Sequence, residues 1–250
     1  MEANMYLEEY GKENNEIIVM LHGANFVHSF QKQYELAEEY HLMIPHLMGF
    51  GKATDQVFHT DEQIEELLTY LSAFDQKVLV VGFSLGAQLA YKLLAEHPEL
   101  FTAGILVSPW LDKKEEMLQH VRKQNEKQYK LLKKKGICNL IGRMNELSGE
   151  QRREFVEQMQ KVQLQTILNA VDNGITLDSV KGFETVSIPV YALAGGREQE
   201  DVKESIKRLA ACNRHCKYEI WERAAHNIPQ ACYKEFNALI RQVISMVKEV

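Results

Sequence analysis

The segment VLVVGFSLGAQLAYKLL, residues 78–94, decides how this chain is read. Val78–Val81 is an unbroken apolar run rich in β-branched side chains, the composition of a strand buried on both faces. Gly82-Phe83-Ser84-Leu85-Gly86 follows. Leu85, Leu89, Leu93 and Leu94 then recur at helical spacing. A strand that becomes a helix so abruptly needs a sharp bend, and glycines flanking Ser84 give the backbone room for it. Ser84 then stands at a helix N-terminus, where the peptide dipoles favour a developing negative charge. G-x-S-x-G alone arises by chance about 0.1 times in a chain of this length. The strand before it and the helix after it give the match its weight.

Upstream, Ile17–Leu21 (IIVML) reads as a second buried strand, ending at His22-Gly23. Met5–Tyr10 is a candidate edge strand, and Leu42–Ile44 a short strand stopped by Pro45. A helix is expected from about Phe30 to Tyr40. Another starts at Thr60, whose hydroxyl pairs with Gln63 as a capping box ahead of Ile64, Leu67, Leu68, Leu71 and Phe74. Downstream, Ile105–Val107, Val190–Ala194 and Lys217–Glu222 add strands. The terminal helix carries Phe236, Leu239, Ile240, Val243 and Val247 on one face. Strands alternating with amphipathic helices predict an α/β fold with a mostly parallel central sheet.

Residues 112–182 break the alternation. They are helical and polar, with no strand signal, and divide the chain into a core of 1–111 and 183–250 with a helical insertion of 112–182. Lys113–Lys135 reads as one long helix with nine basic side chains against three acidic ones. The reading is a solvated face, with Lys133–Lys135 complementing the helix C-terminus before Gly136. Ser148 and Gln151 form a second capping box, followed by Phe155, Met159, Val162, Ile167, Leu168 and Val171. Asp172-Asn173-Gly174 supplies a turn.

Hydrophobic residues make up 45% and charged residues 26% of 250, which excludes a disordered or collagen-like chain. A net charge of −6 argues against general nucleic-acid binding. No apolar run nears the roughly 18 residues of a membrane helix. The opening MEANMYLEEYGKENN is acidic and has no apolar centre, so an export signal is not expected. A cytoplasmic location and reduced thiols at Cys138, Cys212, Cys216 and Cys232 follow as expectations. Cys212 and Cys216 lack the closer-set pairs and further ligands of a zinc site, so no metal is expected.

A nucleophilic serine needs hydrogen-bond donors for the oxyanion that forms on attack. His22-Gly23-Ala24 follows the first buried strand, and a loop there can offer the Ala24 backbone N–H beside that of Leu85. Each such donor contributes about 3 kcal/mol to the transition state. The His22 side chain itself reads as a structural group that fixes the loop.

Leu21-His22-Gly23, Pro45 through Gly49-Phe50-Gly51, Gly82 to Gly86, His97-Pro98-Glu99, Pro189 through Gly195 and Ala225-His226 together resemble the α/β-hydrolase superfamily. The resemblance covers nearly the whole chain. It implies the α/β-hydrolase fold, with 112–182 as a helical cap over the active site. It also implies the chain order serine, acid, histidine, available here as Ser84, Glu198 and His226. Glu198 falls where the family often has aspartate after a strand and a glycine; Asp201 and Asp112 are the alternatives. Phe155 and Met159 are the cap's candidates for the substrate pocket. His46 stands where an aspartate is common, and Ala87 and Ala225 where glycines are frequent. These departures are small or peripheral.

The function implied is a carboxylesterase-like serine hydrolase. It would cleave a small acyl ester, thioester or related carbonyl compound through an acyl-enzyme on Ser84. The partner implied is a small-molecule substrate, with no metal or organic cofactor, no nucleic acid and no membrane. Two alternatives stay open: a hydrolase-like binding or signalling protein with slow turnover, and a carbon–carbon hydrolase or lyase using the same three residues.

Overall fold

Apolar runs such as Ile17–Leu21 and Val78–Val81 have no side to give to water, and they form the middle of the sheet. The computed structural model describes residues 5–248. Met1–Asn4, the start of the stretch read as lacking an export signal, lie outside them. The strands are β1 (Leu7–Tyr10), β2 (Ile17–Leu21), β3 (His41–Pro45), β4 (Val78–Phe83), β5 (Phe101–Val107), β6 (Val190–Gly195) and β7 (Cys216–Trp221). They form one seven-stranded sheet in the order β1-β3-β2-β4-β5-β6-β7. Every neighbouring pair is parallel except β1 with β3, where Leu7 faces Pro45 and Tyr10 faces Leu42.

The helices are α1 (Thr60–Leu71), α2 (Leu85–Glu96), α3 (Glu115–Leu132), α4 (Lys135–Met144), α5 (Gly149–Lys161), α6 (Leu164–Val171), α7 (Glu200–Cys212), α8 (Ile228–Ala231) and α9 (Tyr233–Lys248). Alternate residues of the central strands feed two separate cores, as the strand period of two requires. Val19, Leu21 and Val80 pack with Leu67 of α1, Leu89 of α2 and Ile206 of α7. Ile18, Met20, Leu79 and Val81 pack on the other face with Phe30, Leu36, and Phe236 and Ile240 of α9. Each such fully buried side chain contributes about 2 kcal/mol. Among the described residues no helix is long and apolar enough to cross a membrane.

Three local expectations change. The helix expected near Phe30–Tyr40 is a 3-10 helix, Val27–Glu38, kinked at His28 and Phe30. Its buried Gln33 donates to Pro229 O and Asn237 Oδ1, both at 2.8 Å. The capping box at Thr60 does not form, because tertiary partners claim both side chains. Thr60 Oγ1 donates to Asn173 O at 2.8 Å, and Gln63 Oε1 accepts from the Met48 N–H at 2.6 Å. The box at Ser148 and Gln151 forms reciprocally.

The third change is in the long basic helix, which is two helices, α3 and α4, broken at Lys133-Lys134. Lys133 Nζ turns away to donate to the carbonyls of Met159, Gln160 and Val162 at 3.0, 2.8 and 2.6 Å. The cation therefore complements the C-terminus of α5 rather than that of its own helix. The rest of α3 carries no buried residue, in keeping with a solvated face.

The edge strand is held by a carboxylate. Glu8 accepts from His46 Nε2 at 3.1 Å, Tyr10 at 3.0 Å and Tyr34 at 3.1 Å. Burial would raise its pKa, but the His46 hydrogen bond, the charges of His28 and His46 and the Tyr10 hydroxyl outweigh burial. Together they lower it from 4.5 to about 2. A carboxylate depressed on folding stabilises above its unfolded pKa, and that stability is lost as pH falls through the folded value. Glu8→Gln should therefore cost on the order of 2–3 kcal/mol at neutral pH and flatten the loss of stability below about pH 4.5. Urea unfolding at about pH 7 and about pH 3 measures both. A variant with the wild-type acid dependence would remove Glu8 from the account.

Candidate active site

β4 delivers Ser84 onto the first turn of α2 with φ 53° and ψ −113°. A positive φ costs a non-glycine residue about 1 kcal/mol or more, so the surroundings must hold it. The Ser84 N–H donates to Val107 O at 2.8 Å, and its carbonyl accepts from the Ala87 and Gln88 N–H groups at 3.1 and 3.2 Å. The flanking glycines answer to close approach. A Cβ on Gly86 would fall on the Leu21 carbonyl of β2, and one on Gly82 on the Gly86 carbonyl.

His226 lies in the loop between β7 and α8. Its Nε2 is 3.1 Å from Ser84 Oγ, and its Nδ1 is 2.7 Å from Glu198 Oε2. Glu198 follows β6, and its side chain is almost wholly buried. Its other oxygen accepts from Ser108 Oγ and the Gly195 N–H, each at 2.7 Å. Burial works against its charge, but the His226 hydrogen bond and charge, the Gly195 N–H and the Ser108 hydroxyl prevail and lower its pKa. An ionised Glu198 requires the Nδ1–H tautomer of His226, which leaves Nε2 to accept from the Ser84 hydroxyl.

The other acid candidates are engaged elsewhere. Asp201 Oδ2 accepts from Trp110 Nε1 at 2.6 Å, and Asp112 pairs with Arg208 at 2.7 Å. Ser108 was not singled out in the sequence. Its signal was position alone, at the C-terminal end of β5 beside β6. It too has a positive φ, 54°, with its N–H held by Leu193 O at 2.7 Å.

Ala24 and Leu85 both border the cleft over Ser84. Among the described residues neither backbone N–H has an acceptor. The loop carrying Ala24 is fixed by His22, which is fully buried. Its Nδ1 donates to Gly23 O at 2.8 Å, and its Nε2 accepts from the Leu47 N–H at 3.0 Å. Burial lowers its pKa to about 3, so the ring is neutral and serves as a spacer for the loop.

The cleft measures about 560 Å³. Trp110, Arg197 and Val202 border it from the loops after β5 and β6 and from α7, and Val121, Ile167 and Val171 from the helical insertion. Phe155 and Met159 do not line it, which corrects the expectation that they face substrate. They are buried with Cys138, Leu147 and Val162 in the insertion's own core, and Phe155 meets Phe26 edge-on at 5.5 Å. The apolar stripe of α5 is spent on its neighbouring helices, leaving the cleft wall to α3 and α6. Phe155→Ala should therefore lower stability by about 3–4 kcal/mol in urea unfolding. Unchanged stability would mean that this cluster does not hold the insertion together.

The chain matches the family model described as alpha/beta hydrolase fold over residues 16–182. No curated protein sequence matches it. Among solved structures, MenH from S. aureus is 18% identical, with a TM-score of 0.72 and 98% of each chain covered. A carboxylesterase from the ammonia-oxidizing thaumarchaeon Nitrososphaera gargenis is 15% identical, with a TM-score of 0.77, covering 98% of this chain and 95% of that one. The enol-lactonase from Burkholderia xenovorans LB400 is 12% identical, with a TM-score of 0.76 and 96% of each chain covered. Identities this low speak for shared fold alone. The family match is independent of them and spans β2 through the elbow to the end of the insertion. On that match and this sheet, the chain belongs to the alpha/beta hydrolase fold family.

Proposed function

We propose that the protein is a serine hydrolase that cleaves a small ester, thioester or related acyl compound through an acyl-enzyme on Ser84. The observation that carries this reading is the unbroken hydrogen-bond chain from Ser84 Oγ through His226 to the buried Glu198. Ser84 Oγ attacks the acyl carbon while its proton passes to His226 Nε2. The imidazolium then gives that proton to the leaving oxygen or sulfur, and Glu198 stabilises the charge in between. The Ala24 and Leu85 N–H groups receive the oxyanion. Water repeats the cycle from the other side: His226 takes its proton, hydroxide attacks the acyl carbon, and Ser84 recovers its hydrogen. Residues 112–182 act as a cap, a role supported by Val121, Ile167 and Val171 at the edge of the cleft. The esterase and lactonase activities named for structural neighbours agree with this class of reaction.

A fluorophosphonate probe tests the reading. It should label the protein once, on the peptide containing Ser84, and block hydrolysis of p-nitrophenyl esters. Labelling on another residue, or turnover that survives complete labelling, would overturn it.

A further inference from the structure

One polar side chain of the cleft is oriented by the fold and has no use in the relay. Gln88 lies four residues beyond Ser84 on α2, about 6 Å along the helix axis. It is 5% exposed and borders the cleft. Its orientation is dictated from behind by Asn173, which is as deeply buried. Asn173 Oδ1 accepts from the Ile175 N–H at 3.0 Å and from Lys113 Nζ at 2.5 Å. Both are donors, so that end of the amide must be oxygen. Asn173 Nδ2 then donates to Ala170 O at 3.0 Å and to Gln88 at 2.8 Å. The Gln88 atom it meets must be Oε1, and Nε2 is the end left over. Among the described residues Nε2 has no acceptor, and it is not sealed from solvent.

A buried amide held this rigidly, with its donor end unused at the cleft, is built to meet an oxygen. We infer that Gln88 is a substrate-binding residue that donates its Nε2–H to an oxygen on the acyl part of the substrate, a few bonds beyond the scissile carbonyl. The substrate class is therefore an oxygenated acyl group, carrying a ketone, hydroxyl or carboxylate, rather than a plain alkyl chain. This rests on the hydrolase reading and names the substrate class of the same site. The physical ground is that a site with an unmet donor rejects an isostere that lacks the acceptor.

The test compares p-nitrophenyl levulinate with p-nitrophenyl isocaproate, which puts a methyl group where levulinate has its ketone oxygen. p-Nitrophenyl hydrogen succinate separates a carboxylate from a neutral oxygen. Wild type should favour levulinate or the succinate over isocaproate by about tenfold or more in kcat/KM. Gln88→Glu keeps the size and the bond from Asn173 but replaces the donor by an acceptor, and it should bring that ratio close to one. Gln88→Met removes the amide altogether and decides the matter where Gln88→Glu does not fold. A wild-type ratio near one for both oxygenated esters overturns the inference and leaves the hydrolase reading standing. So does a preference that survives in a folded Gln88 variant. No turnover of any ester, with no fluorophosphonate on Ser84, removes the hydrolase reading and this inference with it.

Discussion

Ser84→Ala should lower kcat for p-nitrophenyl esters by on the order of 10⁵-fold or more and abolish fluorophosphonate labelling. The hydroxyl is the only atom removed, and the residue's backbone bonds to Val107, Ala87 and Gln88 do not depend on it. Alanine tolerates the positive φ about as poorly as serine does, so the fold should persist with a small change in stability. A melting curve close to wild type with collapsed turnover is the expected pair of results. A folded variant that retains turnover would place the nucleophile elsewhere and end the serine-hydrolase reading.

Glu198→Gln should reduce kcat by about 10³–10⁴-fold, for a reason visible in its hydrogen bonds. The Ser108 hydroxyl and the Gly195 N–H both approach Oε1 as donors. A glutamine must therefore turn its oxygen toward them and its NH₂ toward His226 Nδ1. That forces the proton of His226 onto Nε2, the nitrogen that has to accept from Ser84. The variant loses the right tautomer as well as the charge. Asp201→Asn and Asp112→Asn should each leave kcat within about threefold, since their carboxylates bond Trp110 and Arg208 and neither touches His226. Parallel rate measurements on the three variants read this out. Severe loss in Asp201→Asn or Asp112→Asn with little in Glu198→Gln would reassign the acid.

The parts of the fold that were legible in the sequence are those where one local pattern has one physical outcome. The apolar run Ile17–Leu21 coincides with β2, because every residue of a doubly covered strand must be apolar. Gly82 and Gly86 were legible because close backbone contact leaves no other residue type. The misreadings share a different cause. Thr60 and Gln63 spell a capping box, yet Asn173 and Met48, far away in the chain, take both side chains. Lys113–Lys135 has unbroken helical composition, yet α3 ends at Leu132, where Lys133 reaches across space to the carbonyls of α5. Phe155 and Met159 mark an inward face of α5 correctly, but periodicity does not say which interior that face meets. Ser108 and Gln88 carry no motif at all, and Asn173 carries only a turn signal. Their placement depends on strand order and helix packing, which a linear pattern does not contain.

The order of strands also sets when the site can exist. Ser84 and His226 are 142 residues apart, and Ser108 and Glu198 are 90. β4 and β5 pair early in the chain, but β6 and β7 add on afterwards at the far edge. Contacts of such long sequence separation form late, because loop closure must precede them. A nascent chain emerging from the ribosome would hold a finished elbow long before it held a base. Only when the last strand docks does the hydroxyl meet an imidazole. On the proposed function, ester cleavage would be a chemical report on completed folding, and partly synthesised or C-terminally clipped chains should be inert even where most of their sheet has formed.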